Sequence, residues 1–338
     1  MPDATPLPPL APLLEEGMLD VGDGHRLFHE VSGAPDGIPA LYLHGGPGGR
    51  LTPGYRRNAP ADAFRTVGFG QRGAGRSVPL ASDPAHDLAA NTTPHLIADI
   101  EALREHLGID AWVLQGVSWG THLAVAYAQA HPERVRGVVL MAVGLAERRH
   151  IDWITEGVGR LYPEAWDAFA AFAEARGGYD RTDASPDRLR IVEAYRRMLT
   201  SGDDELEAAA ARAWMAWEDE HIRIGTGGLE IARPVEDPTL EQAAHALGFA
   251  RLVTHYWAHD GFSGPGGLMA GMDRIGHIPA VLIHGRRDVS WPTVQAWELH
   301  RAWPASRLVV VEQEGHGGPI MASHWREAMQ EFARALRP

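Results

Sequence analysis

The chain has 338 residues, 45% of them hydrophobic, with a formal net charge of −13 and no cysteine. That is enough apolar material for one large core plus an insertion, while the acidic balance argues against nucleic acid or an anionic membrane surface as a partner. Without cysteine, disulfides, thiolate nucleophiles and cysteine-ligated metals are excluded.

The first stretch, "MPDATPLPPLAPLLEEG", has neither a positively charged leader nor a continuous apolar core. It reads as a Pro-rich tail over residues 1–15 rather than a secretory signal. No apolar run approaches the ~20 residues of a membrane span, so a cytoplasmic protein is expected.

Beyond the tail, "RLFHEVSG" follows the turn signal "GDG" as a strand, "PALYLHGG" reads as a buried strand running into glycines, and "FRTVGFG" as another short strand. In "TTPHLIADIEALREHLGI" the apolar residues recur at helical spacing, with Thr92 or Thr93 placed to cap the helix and Gly108 to end it. Strand "AWVLQG", helix "WGTHLAVAYAQAHP" and strand "VRGVVLMAV" follow. Between residues 145 and 265 the pattern turns helical throughout, and from 266 strands and helices alternate again through "PAVLIHG" and "SRLVVVEQ". The spacing predicts an α/β fold: a mostly parallel, doubly wound sheet over 16–144 and 266–338, with a helical cap, 145–265, inserted after the sixth strand.

Chemistry enters at "VLQGVSWGTHLA". Here Gly116, Ser118 and Gly120 stand between a strand and a helix, the G-x-S-x-G arrangement that exposes a serine on a sharp turn. A serine hydroxyl needs a base to take its proton. "HGRRDVSWP" sets Asp288 after one late strand and "EQEGHGG" sets His316 after the next, in the chain order serine, acid, histidine. His284 and His44 are rivals for the base, but both sit at turns that look structural. For the oxyanion, one backbone donor is expected from Trp119, after the serine, and the other from "HGGPGG", with Gly46 first and Gly45 next.

Two motifs read as decoys. "GFGQRG" satisfies a dinucleotide pattern, yet the following "AGRSVPLASDP" lacks the helix such a site requires. His255 and His259 share a helix face without the acid of a zinc motif. No metal and no cofactor are expected.

Taken together, "HGGPGG", "GQRGAGRS", "NTTPHLIADIEALR", "GVSWGTHLAVAYAQAHPERV", "DWITEGVGRLYPEAW", "AWMAWE" and "HGRRD" resemble the prolyl aminopeptidases, or proline iminopeptidases, from about residue 16 to the C-terminus. The resemblance implies the α/β-hydrolase fold and a cofactor-free serine peptidase that removes an N-terminal proline from small peptides through an acyl-enzyme. It also implies that acids of the cap hold the substrate's free amino group. The cap segment W-x-x-W-E matches Trp214, Trp217 and Glu218, which makes Glu218 the expected amine anchor and Trp217, with Gly45, part of the substrate site. The chain departs from the family pattern at Val253, where a second cap acid stands, at Gly70, where an aspartate stands, and at Met141 and Gly144, near the proline pocket. An esterase or amidase of the same fold is the alternative. A non-catalytic scaffold is a third reading, although such a protein would be expected to have lost a triad member.

Overall fold

The computed structural model describes residues 7–223 and 238–337. The chain runs through β1 (Leu13–Asp20), β2 (Arg26–Gly33), β3 (Ile38–Leu43), β4 (Phe64–Phe69), α1 (Thr93–His106), β5 (Trp112–Val117), α2 (Trp119–Ala130) and β6 (Val135–Met141). Helices α3 (Arg148–Thr155), α4 (Pro163–Gly177), α5 (Ile191–Leu199), α6 (Asp204–Ile222) and α7 (Leu240–Ala258) come next, followed by β7 (Ala280–Gly285), α8 (Val294–Ala302), β8 (Ser306–Val311) and α9 (Pro319–Leu336).

The eight strands form one sheet in the order β1-β2-β4-β3-β5-β6-β7-β8. The β1–β2 and β2–β4 pairs are antiparallel, and every pair from β4 to β8 is parallel. Parallel strands covered on both faces need apolar residues at every position, and that is why these segments read as continuous hydrophobic runs. Along them, the two-residue period sends Leu41, Leu43, Leu114, Leu140 and Leu282 into the core cluster that also takes Leu123 and Tyr127 of α2. It sends Ala40, Val113, Val139 and Ile283 to the other cluster, against Trp325, Met329 and Phe332 of α9. The sheet thereby ends in a rigid rim at the carboxyl ends of its strands, where ligands of open α/β sheets bind.

One expectation needs correction. Residues 1–15 are not simply a tail: β1 begins at Leu13, the Ala11 N–H donates to the Arg56 carbonyl at 3.1 Å, and Arg57 Nε–H donates to the Pro8 carbonyl at 2.9 Å. The first six residues of that stretch lie outside the described residues. β1 is an edge strand exposed along most of its length, so it carries no alternating apolar signal by which it could be read.

Candidate active site

Ser118 connects the end of β5 to the first residue of α2 with φ 55° and ψ −124°, a left-handed conformation that costs strain in any residue bearing a side chain. Its N–H donates to the Met141 carbonyl at 3.0 Å, and the Thr121 hydroxyl donates to the Ser118 carbonyl at 2.7 Å. The flanking glycines are required by contact. A Cβ on Gly116 would lie 2.4 Å from the Gly120 carbonyl oxygen, and one on Gly120 would lie 2.1 Å from that of Leu43. Both neighbours are backbone and cannot rotate away.

The loops after β7 and β8 bring Asp288 and His316 to this serine. Ser118 Oγ–H donates to His316 Nε2 at 2.9 Å, and His316 Nδ1–H donates to Asp288 Oδ2 at 2.8 Å. The other oxygen of Asp288 accepts the N–H groups of Ser290 (3.1 Å) and Trp291 (2.9 Å). With both oxygens engaged, the carboxylate holds one orientation and fixes the imidazole tautomer. Burial opposes ionisation of Asp288, but the charge and hydrogen bond of His316 outweigh it and hold the carboxyl below the usual range. Burial likewise pulls His316 down; Asp288, with help from Glu218, outweighs it and raises the imidazole above its ordinary value.

Trp119 is the first residue of α2, so its N–H has no intrahelical acceptor. Gly45 lies against the serine, since a Cβ there would stand 3.1 Å from Ser118 Cβ, and Gly46 follows with φ 127°. A residue that the sequence did not single out ties the two segments together. Gln71 Nε2–H donates to the His44 carbonyl at 3.0 Å, and its Oε1 accepts Trp119 Nε1–H at 3.0 Å. The Gln71 N–H also donates to His44 Nε2 at 3.1 Å, and His44 Nδ1–H donates to the Gly45 carbonyl at 2.9 Å. The only mark of Gln71 in the sequence is the "GQRG" segment. No α-helix starts directly after that segment; α1 begins only at Thr93.

The rival histidines are occupied elsewhere. His44 serves the loop just described, and His284 accepts the Val143 N–H at 3.0 Å while donating to the Trp291 carbonyl at 2.7 Å. His255 and His259 bond to backbone carbonyls of Asn91 and His255, respectively. Among the described residues, no group of His, Cys, Asp or Glu is arranged to hold a metal ion, and no helix is long and apolar enough to cross a membrane.

Glu218, on α6, is buried, and burial pushes its carboxyl up to about 7 against the opposing pull of His316. The mutual influence puts this acid within electrostatic reach of the triad. Trp217, also expected at the substrate site, meets the ring of His221 edge-on with centroids 5.3 Å apart. It is 2% exposed, its Nε1–H donates to the Ile154 carbonyl at 3.1 Å, and its ring stacks on Phe169. The Trp217 ring thus lies within the aromatic cluster of the helical segment, between Phe169 and His221. Val253 is fully buried in α7. At Gly144 the indole of Trp291 occupies the space that a side chain would need.

Comparison with known proteins gives a consistent picture. The family model described as alpha/beta hydrolase fold matches residues 39–320. A probable proline iminopeptidase of Streptomyces coelicolor is 43% identical over 308 residues, covering 89% of this chain and 90% of its own. A proline iminopeptidase of Neisseria gonorrhoeae is 42% identical over 326 residues, covering 95% and 96%. Among solved structures, the proline iminopeptidase of Mycobacterium smegmatis superimposes with a TM-score of 0.59 at 18% identity over 95% of this chain and 98% of that one, which speaks to the fold alone.

Proposed function

We infer the function from family membership: the chain belongs to the α/β-hydrolase fold family and, within it, to the proline iminopeptidases. It is a serine hydrolase of the aminopeptidase type. We propose that it releases N-terminal proline from short peptides and that the helices between β6 and β7 act as a cap admitting only small substrates. The observation that carries this reading is the hydrogen-bonded run Ser118–His316–Asp288, with the buried carboxyl of Glu218 acting electrostatically on His316.

In this reading Ser118 Oγ attacks the carbonyl of the first residue while His316 takes its proton. The Trp119 and Gly46 N–H groups receive the charge that develops on the carbonyl oxygen. His316 then passes the proton to the departing amine, and water, activated by the same imidazole, releases the acyl group. Glu218 anchors the protonated amino terminus, a charge-assisted contact strengthened by burial. We place the protein in the cytoplasm, which cell fractionation tests.

A second reading, an esterase or amidase, is favoured by Val253, an apolar residue where the resemblance sets a second acid. Steady-state cleavage of proline p-nitroanilide, its N-acetylated form, other aminoacyl anilides and a p-nitrophenyl ester separates the two. Preference for the free-amine proline substrate is expected. Ester hydrolysis with little aminoacyl cleavage would overturn the proposal in favour of the second reading.

A further inference from the structure

His221 lies one turn beyond Glu218 on α6, and the mechanism above does not use it. It is 1% exposed, and its two ring nitrogens meet very different surroundings. Nδ1 stands 2.7 Å from Ser290 Oγ, and that hydroxyl lies 3.3 Å from the His221 carbonyl. In that second contact the serine hydroxyl is the donor. The serine proton therefore goes to the carbonyl, and Nδ1–H donates to the serine oxygen. That leaves Nε2 as a bare lone pair.

Nε2 is buried and has no hydrogen-bond partner among the described residues. It stands 3.7 Å from Glu218 Oε2, too far for a bond between them. Burial, with the nearby His316, keeps the ring neutral at any physiological pH. When Glu218 is ionised, its Oε2 and His221 Nε2 are two neighbouring acceptors; the carboxylate is supported by Trp214, whereas the buried Nε2 is left unpaired, which is costly. An N–H donor about 2.9 Å from each would satisfy both. The Ser290 N–H donates to Asp288, so the same serine that orients His221 belongs to the loop that orients the triad.

Resting on the aminopeptidase reading, we propose that His221 Nε2 and Glu218 form a two-acceptor clamp for the substrate's amino terminus and that His221 is a specificity-determining residue. A protonated proline nitrogen carries two N–H groups, one for each acceptor. A primary ammonium carries three, and the third finds no partner in this pair. The clamp selects for the secondary ammonium of proline by matching donor count to acceptor count.

Two substitutions separate this role from packing. His221→Asn keeps a donor near the Nδ1 position for Ser290 but removes the acceptor at Nε2; His221→Gln returns an acceptor to that region. With His221→Asn, kcat/KM for proline p-nitroanilide should fall about 10- to 100-fold, the loss of one hydrogen bond to a charged group. The fall should lie mainly in KM, with a reduced ratio of proline to alanine anilide cleavage and of anilide to ester turnover. His221→Gln should recover part of each. A measurement on the unaltered protein runs in parallel: L-proline should inhibit ester hydrolysis at least about tenfold more tightly than N-methyl-L-proline, whose ammonium has a single N–H. In His221→Asn that difference should shrink.

Equal losses on anilides and ester, or no loss in His221→Asn, would overturn the clamp while leaving the aminopeptidase reading intact. So would equal inhibition by the two prolines. If the unaltered protein shows no preference for a free amine over its acetylated form, the aminopeptidase reading falls and the clamp falls with it.

Discussion

Glu218 on α6 and His316 after β8 lie within electrostatic reach, and each favours the charged form of the other. In the proposed mechanism the two groups set the acid limb of the rate. His316 must be neutral to act as base, and its proton affinity is raised above the ordinary histidine value; Glu218 must be ionised to hold an ammonium, and its carboxyl titrates at about 7. As pH falls, kcat/KM for the proline anilide should therefore drop with a slope approaching two on a logarithmic plot. Ester hydrolysis, which needs only the base, should drop with a slope of one. Glu218→Gln should reduce the first slope to one and move the limb somewhat to lower pH, because one of the two charges that raise His316 is gone while Asp288 remains. An unchanged profile in that variant would rule out the coupling.

The same carboxyl links stability to pH. Its pKa is raised on folding, from 4.5 to about 7, so the protonated form stabilises the fold fully below the ordinary value. That contribution is lost as pH rises through about 7. Glu218→Gln should unfold at a higher temperature than the parent at pH 8 and at nearly the same temperature at pH 5. The difference should amount to up to about 3 kcal/mol at the higher pH. Thermal unfolding at the two pH values checks this, and an equal offset at both would contradict it.

Ser118→Ala should lower turnover of anilide and ester alike by more than about 1,000-fold. Asp288→Asn should cost on the order of 1,000- to 10,000-fold, because an amide in that place favours the wrong tautomer of His316. Retained activity on either substrate class in Ser118→Ala would remove the serine from the mechanism.

Arg72, in the "GFGQRG" segment, donates from Nε and Nη2 to both oxygens of Asp99 at 2.7 and 2.8 Å, and to the Ala90 and Val21 carbonyls. Both side chains of the pair are almost wholly buried. Arg72 Nη1 also donates to Asp23 Oδ2 at 3.0 Å, a half-exposed partner; Asp99→Ala removes the buried carboxylate, and up to about 3 kcal/mol of stability should be lost in urea unfolding. A change under about 1 kcal/mol would mean that Asp23 and the backbone carbonyls suffice for Arg72.

Gly120→Ala drives a methyl into the Leu43 carbonyl at the point where α2 crosses β3. Displacement of α2 should cost about 1–3 kcal/mol and carry Ser118 out of line with His316. Thermal unfolding and ester turnover should fall together; normal values of both would show that the helix has room to move.

What the sequence by itself determined was governed by short-range physics. The strand and helix periods, the glycines at Gly116 and Gly120, and the order Ser118, Asp288, His316 are local or follow the rim of a sheet whose connections are short. They could be read without coordinates, and the resemblance added Glu218. The edge strand β1 escaped because an exposed strand has no buried face to pattern. The inward turn of Trp217, the clasp of Gln71 on His44 and Trp119, and the bare nitrogen of His221 were decided only by the tertiary structure. Whether a buried polar atom is paired depends on every segment that packs around it. For His221 those segments, α6 and the loop after β7, are separated in sequence by α7, so no window along the chain contains both.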